Sequence, residues 1–215
     1  MGKITDSLLS GTRGRTGRIV VSNIQGHEIS RMRPRKTART ATPKQQLVKE
    51  RFNFAVKFIQ GYKTVVKEYY GKRVGLKSPY NVAMSNLLKS IKLDVTDLTF
   101  SVNHEEIMFT KGNLLEPQPS SITSDDPLTV NVNWMDNSTD TLDENDILYV
   151  MYAEENQDKL LSTVVKTTAL RKDESVAFQL LPKFQGVDLH IWVSFVNPIL
   201  QEASNSIYLG LVTVT

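Results

Sequence analysis

The 215-residue chain contains no cysteine. Disulfide staples, zinc-finger ligation and thiol catalysis are therefore excluded. No run approaches the ~18 apolar residues of a membrane span; the longest cluster, Ile191 to Val196, has the length of a strand. The opening stretch from Met1 to Ser10 has no apolar core of secretory length and no small-residue cleavage site. Asp6 stands where a myristoylation signal wants Ser or Thr. The expectation is a protein with no membrane association, kept in the cytoplasm or incorporated into a particle assembled there. Acidic residues are scarce in one half only. Residues 1–93 hold 20 Lys+Arg against 4 Asp+Glu, a net +16. Residues 94–215 hold 6 against 19, a net −13, so the overall +3 conceals a reversal near mid-chain. A polarity of that size constrains partners more than the total does.

Residues 1–41 read as a basic arm punctuated by glycine. Gly11-Thr12-Arg13-Gly14-Arg15-Thr16-Gly17-Arg18 sets three glycines at intervals of three. The β-rich runs 19–22 and 27–31 flank Asn23-Ile24-Gln25-Gly26, the pattern of a short hairpin. An isolated two-stranded hairpin is marginal in water, so this one is expected to dock on something. Arg31, Arg33, Arg35, Lys36 and Arg39 then crowd around Pro34, in a window that reads as extended.

Residues 42–93 read as a basic helical segment. Thr42 is an N-cap, Pro43 suits the first helical position and Gln45 completes a capping box. Val48, Phe52, Ala55 and Ile59 form the stripe of a first helix, widened by Leu47, Phe54 and Phe58. Gly61 ends or kinks it, Tyr62 to Tyr70 reads as a second helix, and Ser78-Pro79 opens a third with Met84, Leu87, Leu88 and Ile91 on one side.

Residues 94–215 change character. Leu128, Val130, Val132 and Trp134 alternate with Thr129, Asn131 and Asn133, as in a half-buried strand. Further strands are expected near 106–110 and over 147–152, 160–166, 176–180, 189–196 and 207–214. Seven short strands with no helical stretch predict an antiparallel β-sandwich, and the chain as a whole an α+β fold. The Trp134 strand followed by Leu148 to Tyr152 resembles the second and third strands of fibronectin type III domains. The charge reversal then falls between a basic helical module and an acidic sandwich.

An ordered set of short motifs carries a second resemblance. These are Met1–Ile4, Gly11–Gly17, Arg31–Pro34, Thr42–Gln46 with Arg51-Phe52, and Ser204–Gly210. In this order they resemble a Bacteroidota family whose function is unknown, over the whole chain. Val21-Ser22-Asn23 departs from it, where that family tends to a bulkier aromatic hairpin. The resemblance implies a fixed order of arm, helices and sandwich, and no activity.

Several groups invite chemistry. The Gly/Arg stretch offers backbone amides and guanidiniums to an anion, but no Gly-Lys-Ser/Thr closes it as in a phosphate-binding P-loop. The arginine window has no interleaved aromatic to stack a base. His27, His104 and His190 share no metal-ligand spacing. Carboxylate pairs at 105–106, 125–126 and 154–155 read as solvated turns, since adjacent strand residues point to opposite faces. The loop from Asp136 to Asp146 is rich in oxygen donors but lacks the Gly and terminal Glu of an EF-hand, and reads as a strand connection. Asn137-Ser138-Thr139 matches a glycosylation acceptor and, without an export signal, reads as a polar turn.

The reading is a non-enzymatic structural or interaction protein, with no cofactor and no metal. It associates head-to-tail with itself or docks into a larger virion-like or filament-like particle. Arg13, Arg15, Arg18, Arg31, Arg33, Arg35, Lys36 and Arg39 are the expected contacts to an acidic partner or to phosphate. The alternative is a nucleic-acid-associated protein that binds phosphate non-specifically through residues 11–77.

Overall fold

The computed structural model describes residues 2–5, 10–24, 26–35, 40–141, 143–154 and 161–215. The chain divides into two compact units, Met1–Ala41 and Thr42–Thr215.

The first unit is a four-stranded antiparallel sheet. Its strands are β1 (Gly2–Ile4), β2 (Gly14–Thr16), β3 (Ile19–Ile24) and β4 (His27–Met32), in the order β1-β4-β3-β2. The hairpin read from the sequence is the pair β3–β4. Its ladder closes at Ile24 with His27, so the connection is Gln25-Gly26, of which Gln25 lies outside the described residues. The Gly/Arg stretch, read as an extended arm, contributes β2 as a third strand. Glycine is needed at the turn into β3: Thr16 pairs with Ile19, leaving the two-residue loop Gly17-Arg18 with Gly17 at φ +57°. The favoured two-residue hairpin loops require positive φ at that first position. Val21 is the buried apolar residue of this sheet.

The second unit begins with α1 (Pro43–Gln60), α2 (Lys63–Tyr69) and α3 (Pro79–Ser90). Thr42 caps α1 through a capping box with Gln45, and Ser78 caps α3. The buried face of α1 is Leu47, Phe54, Ala55, Phe58 and Ile59. The stripe beginning Val48–Phe52 is thereby corrected: Val48 and Phe52 are about half exposed. Two apolar stripes overlap on this helix, and the one holding Phe54 and Phe58 covers more surface when buried. Arg51, beside Phe52, donates from Nη2 to the Leu88 carbonyl and ties α1 to the C-terminal turn of α3. Gly61 ends α1 in ordinary αR geometry, but a Cβ there would lie 1.7 Å from the Ser162 carbonyl oxygen. Close backbone approach, not turn freedom, demands this glycine.

A hairpin of β5 (Ile91–Asp94) and β6 (Thr99–Val102) follows. The strand expected near 106–110 does not form. Residues 104–106 make a 3₁₀ turn, and Ile107 and Phe109 are buried without a strand ladder. Their backbone is satisfied piecemeal: Phe109 N–H donates to Ser206 Oγ at 3.0 Å, and Lys111 N–H to the Tyr69 carbonyl at 2.9 Å. The remainder is the expected antiparallel sandwich. One sheet orders β11 (Ser175–Gln179), β8 (Thr129–Met135) and β7 (Gln118–Thr123). The other orders β10 (Ser162–Leu170), β9 (Ile147–Glu154) and β12 (Asp188–Asn197), with β13 (Glu202–Ala203) and β14 (Ile207–Thr213) both paired to β12. Leu160, the first residue of the strand read over 160–166, lies outside the described residues.

The helices and sandwich share one body because β9 and β12 are buried on both faces. Leu148, Val150, Tyr152, Leu189, Ile191, Val193 and Phe195 pack between the sheets with Trp134 and Phe178. Tyr149, Met151, Ala153, Trp192 and Val196 face the opposite way, against Phe54, Phe58, Ile59 and Tyr62. That double burial explains why 147–153 and 189–196 read as nearly continuous apolar runs, whereas β8 alternates. The fold is α+β, with an immunoglobulin-like sandwich backed by three helices on its larger sheet.

Candidate functional site

In the first unit, the register decides which basic residues meet. Arg15 pairs with Val20, and Val20 with Arg31, so all three share one face of the sheet. Beyond the end of β4 the ladder continues by one bond, Arg33 N–H to the Arg18 carbonyl at 2.8 Å. Pro34 then has no N–H to continue it, and the chain leaves the sheet beside the Gly17-Arg18 loop. Arg15, Arg18, Arg33 and Arg35, with Gly17, Met32 and Pro34, line a concavity of about 590 Å³. No carboxylate among the described residues lines it. Glu28, the carboxylate among the described residues of this unit, accepts from the Gly11 N–H at 2.8 Å at the other end of the β3–β4 ladder.

Four of the eight expected contact residues therefore converge. Arg31 lies on the same sheet face as Arg15, with β3 between them, and does not line the concavity. Arg13 precedes β2 and does not line it either. Lys36 and Arg39 lie outside the described residues. Guanidiniums held this close repel one another, and an anion between them relieves that repulsion. Their planar forks match carboxylate or phosphate bidentately.

The second unit holds two polar constellations that no local pattern announced. Arg171 and Asp146 are both fully buried and paired, Nη2 to Oδ2 at 2.8 Å. Arg171 further donates to the Asp143 carbonyl at 3.1 Å, to Asn137 Oδ1 at 2.5 Å and to the Leu115 carbonyl at 3.2 Å. Its guanidinium carbon sits 4.1 Å from the Phe195 ring centre. Asp146 Oδ1 accepts from Asn197 Nδ2 at 2.9 Å. This pair organises the oxygen-rich 136–146 loop, whose other aspartates are taken up by the loop itself. Asp136 accepts from the Ser138 N–H, Asp140 from the Asp143 N–H, and Asp143 from the Thr139 hydroxyl. Among the described residues no group of three or more acidic or histidine side chains is placed to hold a metal ion.

The second constellation brings together His104 and His190, stacked with ring centres 3.6 Å apart. Face-to-face stacking does not converge their nitrogens on a common point. His190 Nδ1 is 2.7 Å from the Tyr208 hydroxyl, and Trp192 Nε1 donates to the His104 carbonyl at 2.9 Å. Burial holds the His190 imidazole below its ordinary value, with nearby Asp188 pulling the other way. His27 is exposed at the start of β4. Glu105 and Glu106 are exposed, Asp125-Asp126 sits in the β7–β8 connection, and Glu155 lies outside the described residues.

The closing Ser204–Gly210 motif is structural. Ser204 Oγ accepts from the Phe195 N–H at 3.0 Å and lies 3.1 Å from Ser194 Oγ. Ser194 in turn accepts from Thr110 at 2.6 Å. Asn205 donates to Glu116 at 2.9 Å, and Gly210, at φ +123°, sits where the β12–β14 register shifts. These hydroxyls hold 109–110 and 204–206 against β12.

Fold and site together define a helix-backed β-sandwich protein with a separate arginine-rich sheet. More particularly, the chain belongs to the family of unknown function DUF6266, whose profile matches residues 11–210. Among solved structures it is similar to the fibronectin type III domain of human collagen alpha-1(XX) chain, at 16% identity and a TM-score of 0.33, covering 47% of this chain and 87% of that one. It is also similar to the fibronectin type III domain of human contactin 1, at 13% identity and a TM-score of 0.31, covering 49% and 83%. No curated protein matches. No helix among the described residues is long and apolar enough to cross a membrane.

Proposed function

We propose that this is a non-catalytic interaction protein that associates head-to-tail with its own copies, or docks into a larger particle, through the arginine-lined sheet. The setting that fits this reading is a Bacteroidota cytoplasm or a particle assembled there. The observation that carries it is the convergence of Arg15, Arg18, Arg33 and Arg35 on one concavity that no carboxylate among the described residues lines. Residues 1–41 carry 9 Lys+Arg against 2 Asp+Glu, a net +7. The rest of the chain is net −4, with an excess of acid confined to residues 94–215. Opposite charges on one subunit favour heterologous contacts between copies. The non-catalytic reading is supported by the Arg171–Asp146 pair and the Thr110, Ser194 and Ser204 hydroxyls of the second unit, which are spent on one another.

The same four arginines support a second reading, phosphate of a nucleic acid. It ranks lower because residues 1–41 contain no Phe, Tyr or Trp on which a base could stack. Light scattering of nuclease-treated protein across a salt series separates the two. Self-association by charge gives a mass that falls as salt rises, and Arg18→Glu/Arg33→Glu lowers it at low salt. A monomer at every salt that binds DNA or RNA with a steep salt slope would overturn the first reading.

A further inference from the structure

We infer that the end of the sandwich carrying Ile199 and Leu200 is the surface on which the arginine-lined sheet of a second copy docks. The inference rests on the self-association reading and names the surface that reading requires.

Ile199 is 90% exposed and Leu200 57%, on the turn between β12 and β13. A fully solvated isoleucine contributes nothing to folding, yet the fold goes to some length to hold this turn. Asn197 Oδ1 accepts the backbone N–H of both Ile199 and Leu200 at 3.1 Å. Asn197 Nδ2 is fixed by Asp146, and Asp146 by fully buried Arg171. A buried ion pair thus ends in two apolar side chains aimed at water. Leu115 and Met135 are also exposed at this end. Leu115 is tied to Arg171 through its carbonyl, and Met135 ends β8 immediately before the 136–146 loop. Pre-ordering of this kind lowers the entropy cost of binding, because the anchors need not be immobilised on contact.

The chemistry around these anchors selects the occupant. Exposed Glu202 follows this turn, and exposed Glu116, Asp136, Asp140 and Glu174 lie in the connections at the same end of the sandwich, with Lys172 among them. A polyanion is repelled there. The N-terminal unit of a second copy has the complementary character: arginines beside exposed Met32 and Ile19, which pair across β3 and β4. An apolar centre ringed by opposite charges on the two sides matches the usual anatomy of an interface. The two surfaces differ, so the contact is heterologous and propagates from copy to copy.

The test uses three versions of the full chain: wild type, the tip variant Ile199→Ser/Leu200→Ser, and the sheet variant Arg18→Glu/Arg33→Glu. Light scattering at low salt is expected to show wild type above its 24.3 kDa monomer mass. Both variants should associate about 10-fold or more weakly, the scale of one lost interfacial anchor, with the tip variant keeping the wild-type Tm. An equimolar mixture of the two variants should form a 1:1 heterodimer and nothing larger, since each retains one competent surface. A tip variant that assembles like wild type, while the sheet variant does not, overturns this inference and leaves the self-association reading standing. Variants that are each monomeric but do not combine also overturn it. Wild type that is monomeric at every salt and concentration overturns both.

Discussion

Asp146 and Arg171, 25 residues apart, form a fully buried ion pair that also bonds Asn137, the carbonyls of Leu115 and Asp143, and Asn197 at the end of β12. The attraction alone is a weak argument for stability, since both ions are desolvated. Removing one partner is another matter, because the other charge is then stranded. Asp146→Ala is expected to cost about 3–5 kcal/mol in urea denaturation. A loss under 1 kcal/mol would show that water reaches Arg171 in the folded state.

Helix α1 offers a sharper test of which stripe faces inward. Phe58→Ala should cost about 3–5 kcal/mol, the usual range for a buried phenylalanine. Val48→Lys and Phe52→Lys should each change stability by less than about 0.5 kcal/mol. Equal losses at Phe52 and Phe58 would mean that the helix is rotated from the orientation described.

Gly61→Ala probes close approach. Its Cβ would meet the Ser162 carbonyl oxygen at 1.7 Å, so backbone must move. We expect a loss of about 3 kcal/mol, the upper end of overpacking costs, visible as a lower midpoint in thermal melts. Retention of the wild-type Tm would contradict the packing of α1 on β10.

Stability should also depend on His190 on the acid side of neutrality. Its folded-state value is lowered by burial against the ordinary 6.5. The unfolded chain therefore binds more protons below that value. The contribution is full above pH 6.5 and is lost as pH falls toward the folded-state value. Protonation would also set a charge beside the stacked His104 ring and the Tyr208 hydroxyl, with Asp188 partly offsetting it. His190→Gln should flatten the fall in Tm as pH drops below 6.5. An unchanged slope would assign that pH dependence to other groups.

Much of this architecture follows from local chemistry. Thr42, Pro43 and Gln45 announce the start of α1 because capping needs only residues within one turn. Val130, Val132 and Trp134 announce β8 because one of its faces is buried and the other is not. Periodicity fails where apolar residues are too many. On α1, stripes through Val48 and through Leu47 fit the helical period alike, and only the shape of the facing sheet chooses. In the same way, continuous runs at 147–153 and 189–196 signal strands without revealing what covers their second face. The Arg171–Asp146 and His104–His190 contacts join positions 25 and 86 residues apart, beyond any local pattern. Sandwich core and helix cover are non-local, as is the hairpin register that gathers four arginines from two strand ends.

The burial of β9 and β12 on both faces has a consequence for how this protein can be divided or exchanged. A fragment beginning at Asp94 would keep every strand of the sandwich and still bare Tyr149, Met151, Trp192 and Val196 along one sheet face. Such a piece should be insoluble or capture foreign helices, whereas a chain begun at Thr42 keeps the helices that cover this face. The sign change in charge at residue 93 is therefore no seam. Recombination, truncation or fusion should tolerate a junction near residue 41 and reject one near residue 93.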